Sequence, residues 1–313
     1  MQVSVIVITY EPSINKLIST LASIIDQNDV SYEIIIADDG SQMINIDDIQ
    51  SIVYKAVPND VPLQFIKNKK NQGTVLNIYS ACKCASGEYI KIISPGDLLY
   101  DNRVLHDFYV YAKNNPQKSF FFGRAAYYRN SATLELLADS SPSHPNIFNS
   151  DSYCVQNIAF MYGQGPVGAA YFCKRDTYTN YIERIINHVI YTEDYSTSVL
   201  YILDGGKISF YDRRIVWYEH GLGISTGNTQ KWAKLYEEDC RELYLVAKET
   251  HSNNQYLEYR FGDKRKRILH PIITLMVIWI KLLSLHRTVG ISNTEQQIEY
   301  LKNCLRFGER KDY

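Results

Sequence analysis

Asp38 and Asp39 close the run Tyr32-Glu33-Ile34-Ile35-Ile36-Ala37-Asp38-Asp39-Gly40-Ser41, and Thr9 and Tyr10 close the run Val3-Ser4-Val5-Ile6-Val7-Ile8-Thr9-Tyr10. Carboxylates accept hydrogen bonds and a tyrosine offers an aromatic face, so the four residues together could hold a polar ligand. Both runs are apolar and β-branched, and both break off in polar, turn-forming residues. In an open α/β sheet, ligands bind outside the carboxyl ends of parallel strands. Thr9, Tyr10, Asp38 and Asp39 are therefore expected side by side on one rim. Asp-Asp-Gly-Ser is also good turn chemistry, so a purely structural role for the acidic pair is the competing reading.

The elements that would position this rim alternate strand and helix. Pro12 suits a helix start, and Leu17, Leu21, Ile24 and Ile25 recur at helical spacing. A second helix is expected over 44–57, a third strand over 63–67, a loop over 68–73 and a helix over 74–85. A fourth strand over 88–93 ends at Ser94-Pro95-Gly96-Asp97. This rhythm predicts a parallel sheet with helices on its faces. Further on, 119–129 reads as a strand, 130–151 as a loop or lid, and 163–168 as a flexible loop. Glu193-Asp194 opens a helix ending near Gly205-Gly206, with Thr192 as a candidate N-cap. Two strands are expected over 208–211 and 215–219, a glycine-rich loop over 221–227, and a helix over 231–251.

Composition narrows the class. The chain has 313 residues, 45% hydrophobic and 21% charged, which fits a folded globular protein. Its net charge of -1 supplies no basic field for nucleic acid. Met1-Gln2 leads straight into a strand, so no secretory signal is expected. The six cysteines form no CxxC pair and no zinc-type spacing, which predicts free thiols in a reducing cytoplasm. The 26 tyrosines either supply faces for sugar rings or reflect a biased genome composition.

In order along the chain, Val5-Ile6-Val7-Ile8-Thr9-Tyr10, Ile36-Ala37-Asp38-Asp39-Gly40-Ser41, Asn71-Gln72-Gly73, Gly87-Glu88-Tyr89-Ile90 and Glu193-Asp194-Tyr195 resemble family 2 glycosyltransferases. These are inverting enzymes of the GT-A fold that build bacterial surface polysaccharides. The resemblance implies a Rossmann-like, mostly parallel central sheet flanked by helices. It implies a nucleotide-sugar held by Thr9, Tyr10, Glu11, Asp38, Asp39, Gly73, Ser94, Pro95, Gly96 and Glu193. Asp38 or Asp39 would accept from the N3–H of a uracil-like base. Asp194 would take the proton of the acceptor hydroxyl. The alternative for the acidic pair 193–194 is to stabilise a helix N-terminus.

The family keeps an Asp-x-Asp motif for a divalent cation where this chain has Ser94-Pro95-Gly96-Asp97. Two expected carboxylates are thus missing. Asp97, helped by His220, is left as the expected ligand of Mn²⁺ or Mg²⁺. Weakened metal affinity, or its loss, follows from that departure.

The last third changes character. Lys264-Arg265-Lys266-Arg267 precedes an apolar run from Ile268 to Leu283 that His270, Pro271 and Lys281 interrupt. It reads either as a core or homodimer helix, or as an in-plane contact with an anionic membrane. The expected organisation is a nucleotide-sugar half over 1–118, an acceptor and catalytic half over 119–230, and a helical extension over 231–313. The expected activity is an inverting transfer of one sugar, UDP-linked in the first instance, to a glycan or lipid-linked glycan. The enzyme would work in the cytoplasm, where it could sit on the inner face of the membrane. Two rival readings are a degenerate nucleotide-sugar-binding protein and a nucleotidyltransferase. The latter would place a glycine-rich basic loop after the first strand, where Thr9-Tyr10-Glu11-Pro12 stands.

Overall fold

A computed structural model describes residues 1–43, 46–131, 133–137, 142–221, 229–285 and 292–310. The first half alternates as the sequence predicts: β1 Val3–Thr9, α1 Ile14–Ile25, β2 Tyr32–Asp38, α2 Ile46–Ala56, β3 Leu63–Lys67, α3 Thr74–Cys84 and β4 Tyr89–Ile93. Then follow β5 Leu98–Leu99, α4 Val104–Lys113, β6 Phe120–Asn130, β7 Leu134–Leu137, α5 Tyr153–Ala159, β8 Tyr171–Lys174, α6 Arg175–Glu183, α7 Glu193–Leu203 and β9 Ser209–Glu219. The C-terminal helices are α8 Thr229–His251, α9 Gln255–Phe261, α10 Pro271–Leu285 and α11 Glu295–Gly308.

One sheet runs in the order β3-β2-β1-β4-β8-β6-β9-β5, with β7 beside β6. Strands β3, β2, β1 and β4 are all parallel, and their register aligns Thr9 with Asp38 and Asp38 with Lys67. The carboxyl ends of these strands therefore form one rim. Beyond β4 the sheet is mixed. Strand β8 runs antiparallel to β4 and β6, and β6 and β9 run parallel to each other. Successive side chains of a strand point to opposite faces. Ile6 thus joins a core under α3 and α7, while Val5 and Val7 join a second core under α1, α2 and α4.

Several expectations change where long-range packing overrides local sequence. The two strands expected at 208–211 and 215–219 are a single strand, β9. Its polar middle is satisfied at the sheet rim, where Arg213 bonds Asp101 and Arg124 bonds Asp212. The expected loop over 130–151 contains β7 and a short 3-10 turn, Pro145–Asn149. The expected loop over 163–168 begins in a π-helical turn, Phe160–Gln164, and leads into the 3-10 turn Gly168–Ala170. None of the six cysteines pairs with another.

The C-terminal helices are part of both cores. Leu243, Val246 and Ala247 of α8 pack with α7, and Leu301 and Cys304 of α11 lie in the core beneath α1. Helix α11 lies directly on α1, and Tyr300 donates to the Ser23 carbonyl. Gly308 of α11 packs against Ser19, while Thr20 and Ser23 are buried against the 94–99 segment, so α1 is buried on polar positions as well as on its apolar face.

Candidate functional site

A cleft of about 520 Å³ opens over the carboxyl ends of β1, β2 and β4. Thr9, Tyr10, Glu11, Asp39, Gly73, Ser94, Pro95, Asp97, Glu193 and Asp194 all line it, so the distant motifs of the sequence meet in one place. Asp38 does not line it. Its side chain is fully buried, accepting from the Ser41 amide (2.8 Å), the Ser41 hydroxyl (2.6 Å) and the Thr9 hydroxyl (3.0 Å). The turn role thus falls to Asp38, and Asp39 is the carboxylate on the cleft.

Asp39 is itself positioned by three donors. The Asn68 amide group (3.0 Å) and the Gln72 N–H (2.9 Å) donate to Oδ1, and the Gly73 N–H (2.8 Å) donates to Oδ2. This is why Asn71-Gln72-Gly73 accompanies the acidic pair: the loop's amides orient the carboxylate. A carboxylate has about four lone-pair sites, so Oδ2 keeps capacity for a ligand N–H. Glu11 holds the neighbouring turn through bonds from the Gln42 and Met43 amides. Tyr10 stands half exposed at the mouth. Tyr191, Tyr218 and Trp232 bring further aromatic faces to the cleft. Trp232 comes from α8, a helix whose sequence carries no signal that it reaches the site.

The other end of the cleft is built around α7. Glu193 and Asp194 occupy its first turn, as the helix-start reading predicts. Thr192 sits at the N-cap position but makes no side-chain cap bond. Asp239 of α8 takes over, accepting from the amides of Ile190 (3.0 Å), Tyr191 (2.8 Å) and Thr192 (2.9 Å). A residue 45 positions or more away in sequence thus fixes the approach to the acidic pair. Burial raises both carboxyls above their ordinary range, Glu193 much further, since the adjacent Asp194 and nearby Asp239 charges add to it. When environments push two carboxyls apart, the higher one holds the proton and the lower one ionises first. The two neighbouring carboxyls thus sit in unequal environments, Glu193 under the stronger upward push.

Asp194 is held from two sides. Its Oδ1 accepts from the Tyr195 amide at 2.7 Å. Its Oδ2 lies only 2.7 Å from where a Cβ on Gly168 would stand. The segment carrying Gly168 is pinned by Lys91, a fully buried lysine inside β4 that donates to the carbonyls of Ala169 and Tyr171. Burial pushes this ammonium down to about 7. A lysine within the apolar strand Tyr89–Ile93 was the one sequence signal for this arrangement.

Gly168→Ala is therefore expected to push the Asp194 carboxylate aside and leave the fold intact, because the obstructing atom is the end of a side chain. Misplacing a reacting group by about 1 Å can cost roughly 10²-fold. If Asp194 acts on a reacting atom, turnover should fall by about tenfold to 10²-fold with little change in melting temperature. Wild-type turnover in this variant would place Asp194 away from the reacting atoms.

Ser94-Pro95-Gly96-Asp97 forms a tight turn after β4, pinned by Thr20. The Gly96 N–H donates to the Thr20 hydroxyl (3.0 Å), which donates to the Asp97 carbonyl (2.8 Å). A divalent ion needs several oxygen ligands at about 2.0–2.6 Å. Among the described residues, no three His, Cys, Asp or Glu side chains converge as such a set. Asp97 accepts from the Glu219 amide at 3.0 Å, and burial pushes its carboxyl up to about 7. His220 is absent from the described cleft lining; its N–H donates to the Tyr128 carbonyl, and its Nδ1 is buried without a hydrogen bond. Its neighbour Glu219 lines the cleft instead and is ion-paired to Lys16 at 2.6 Å. Of the two residues expected to hold Mn²⁺ or Mg²⁺, Asp97 thus lines the cleft and His220 does not line its described part. Of the glycine-rich loop expected over 221–227, residues 222–227 lie outside the described residues.

The chain is similar to known proteins in both sequence and fold. It is 30% identical over 128 residues to a glycosyltransferase of Rickettsia bellii, an alignment covering 41% of this chain and 17% of that protein. It is 29% identical over 131 residues to a glycosyltransferase of Mycoplasma genitalium, covering 39% and 41%. The matches thus span less than half the length of these curated relatives. In fold it resembles the mannosyltransferase PcManGT of Pyrobaculum calidifontis in complex with GDP-Man and Mn²⁺, with a TM-score of 0.56 and 14% identity over 99% of this chain and 81% of that one. It also resembles residues 1–349 of S. aureus TarS in complex with UDP-GlcNAc, with a TM-score of 0.52 and 14% identity over 99% and 91%. At such identity the likeness is one of GT-A fold. Residues 4–167, just over half of the chain, match the family described as Glycosyl transferase family 2, and they contain β1 from Ser4 onward, β2 to β4 and the Asp39 rim. On that match the chain belongs to glycosyl transferase family 2.

Proposed function

We propose that the protein transfers one sugar, with inversion, from a UDP-linked donor to a glycan or lipid-linked glycan hydroxyl in the synthesis of a bacterial surface polysaccharide. The observation that carries this is the convergence of Asp39 and Asp194 on one cleft. Asp39 accepts the N3–H of the base, and Tyr10 covers it. The aromatic faces of Tyr191, Tyr218 and Trp232 receive sugar rings. In the transfer, the acceptor oxygen forms a bond to the anomeric carbon as the bond from that carbon to the diphosphate oxygen breaks. The diphosphate leaves with the electron pair, and the acceptor proton passes to the Asp194 carboxylate. One displacement at one carbon inverts its configuration. The neighbour in complex with GDP-Man holds Mn²⁺, whereas of the two metal ligands expected here only Asp97 is among the described lining residues of the cleft.

The test is a panel of UDP- and GDP-sugars offered to the purified chain with glycan and lipid-linked acceptors. Release of UDP with a product of inverted anomeric configuration is the expected result. Binding without release under all acceptors would instead favour the degenerate binding protein.

The C-terminal region extends the same reading to a cytoplasmic enzyme on the inner face of the membrane. Helix α10 turns Ile273, Val277 and Ile280 into the core, while Ile272, Leu275, Trp279 and Leu282 are exposed, Ile272 by 72%. Ile268 (84%) and Leu269 (70%) extend this apolar face next to exposed Lys264 and Lys266. Among the described residues no helix is long and apolar enough to cross a membrane. An apolar face beside cations suits an anionic bilayer surface, where each basic residue contributes about 1 kcal/mol at low salt. Cosedimentation with phosphatidylglycerol vesicles is expected. High salt should weaken it without abolishing it, because screening removes only the electrostatic share. A homodimer in solution that ignores vesicles would assign the face to a second copy.

A further inference from the structure

Among the described lining residues of the cleft, Lys16 is the sole lysine or arginine, facing Glu11, Asp39, Asp97, Glu193, Asp194 and Glu219. Three of those carboxyls are engaged by backbone amides. Glu11 holds the 41–43 turn, Asp39 accepts two loop amides, and Asp97 accepts the Glu219 amide. Glu219 grips the Lys16 ammonium at 2.6 Å, with its own side chain nearly buried.

The place where this ion pair lies is informative. Gly96 stands at a position where the family pattern has an Asp ligand. A Cβ built on Gly96 would lie 2.3 Å from Glu219 Oε2 and 3.6 Å from Lys16 Cδ. The Gly96 backbone has φ +104°, a conformation that favours glycine. The space of the missing carboxylate is therefore filled by a lysine and the glutamate that orients it. Restoring an Asp at position 96 would strike that pair. The Lys16 side chain keeps about a third of its surface exposed, so its ammonium can be shared with a ligand.

We propose that Lys16, oriented by Glu219 across Gly96, takes the place of the divalent cation and neutralises the diphosphate of the donor. A lysine ammonium binds phosphate as a compact point charge with three donors, which is the electrostatic task the metal performs. Given the nucleotide-sugar reading on which this rests, Lys16 touches the leaving group and Glu219 is a positioning residue.

Calorimetry on the full chain tests it with UDP and with uridine, each in EDTA and in MnCl₂. UDP affinity should agree within about twofold between the two conditions. Lys16→Ala should weaken UDP by about tenfold or more, equivalent to about 1.4 kcal/mol, and leave uridine unchanged. Lys16→Arg, which keeps the charge, should recover most of the loss. Strict dependence of wild-type UDP binding on Mn²⁺, or unaltered UDP affinity in Lys16→Ala, would overturn the inference while leaving the donor reading in place. If neither UDP nor uridine binds and GDP binds equally poorly, the donor reading falls and this inference with it.

Discussion

Asp194→Asn is expected to lower transfer by about 10²-fold or more while donor affinity stays close to wild type. The substitution keeps the shape and the bond from the Tyr195 amide but removes the ability to take a proton, and a general base contributes roughly 10²–10⁴-fold. The pH profile adds an independent readout. Burial raises the Asp194 carboxyl above its ordinary value of 3.8. A base works only when ionised, so activity should be full above that raised value and be lost as pH falls through it. The acid limb should therefore lie above the range of an exposed aspartate. It should vanish from the residual rate of Asp194→Asn. A variant with wild-type kcat, or one that keeps the same acid limb, would move the base elsewhere.

Asp39→Ala should cost both stability and donor recognition. It removes an acceptor from the Asn68 side-chain amide and from the Gln72 and Gly73 N–H groups, of which Gly73 keeps the Asn71 side-chain oxygen at 3.2 Å and Gln72 can turn to water. A buried donor left unpaired costs about 1–3 kcal/mol, and the Asn68 N–H is the one so left, so a loss of about 1–3 kcal/mol and a lower melting temperature are expected. The bond from the base N3–H to a carboxylate is worth about 1.5–3 kcal/mol, which corresponds to about tenfold to 10²-fold in UDP affinity. Cytosine carries an acceptor at N3, so wild type should prefer UDP to CDP, and Asp39→Asn should narrow that preference. Titration of both nucleotides into wild type and Asp39→Asn checks it. An unchanged UDP/CDP ratio would show that Asp39 only builds the loop.

The parallel strands and the residues at their ends were legible in the sequence because their signals are local. A β-branched run must be a strand, its abrupt polar end must be a rim, and Thr9, Asp39 and Asp194 each sit at such an end or at a helix start. The choice between Asp38 and Asp39 was not local. Both carboxylates suit a turn, and only the register of β1 with β2 directs Asp38 to Thr9 and Ser41 and directs Asp39 to the loop at 72–73. The same holds for what supports Asp194. Asp239, Lys91 and Gly168 are ordinary residues in their own segments, and they act on Asp194 only because α8, β4 and the 168–170 turn pack around α7. The sequence showed that two carboxylates were missing beside Asp97. Only the tertiary structure put Lys16 and Glu219, 203 positions apart, into the space they left, because that ion pair depends on α1 and β9 meeting over Gly96.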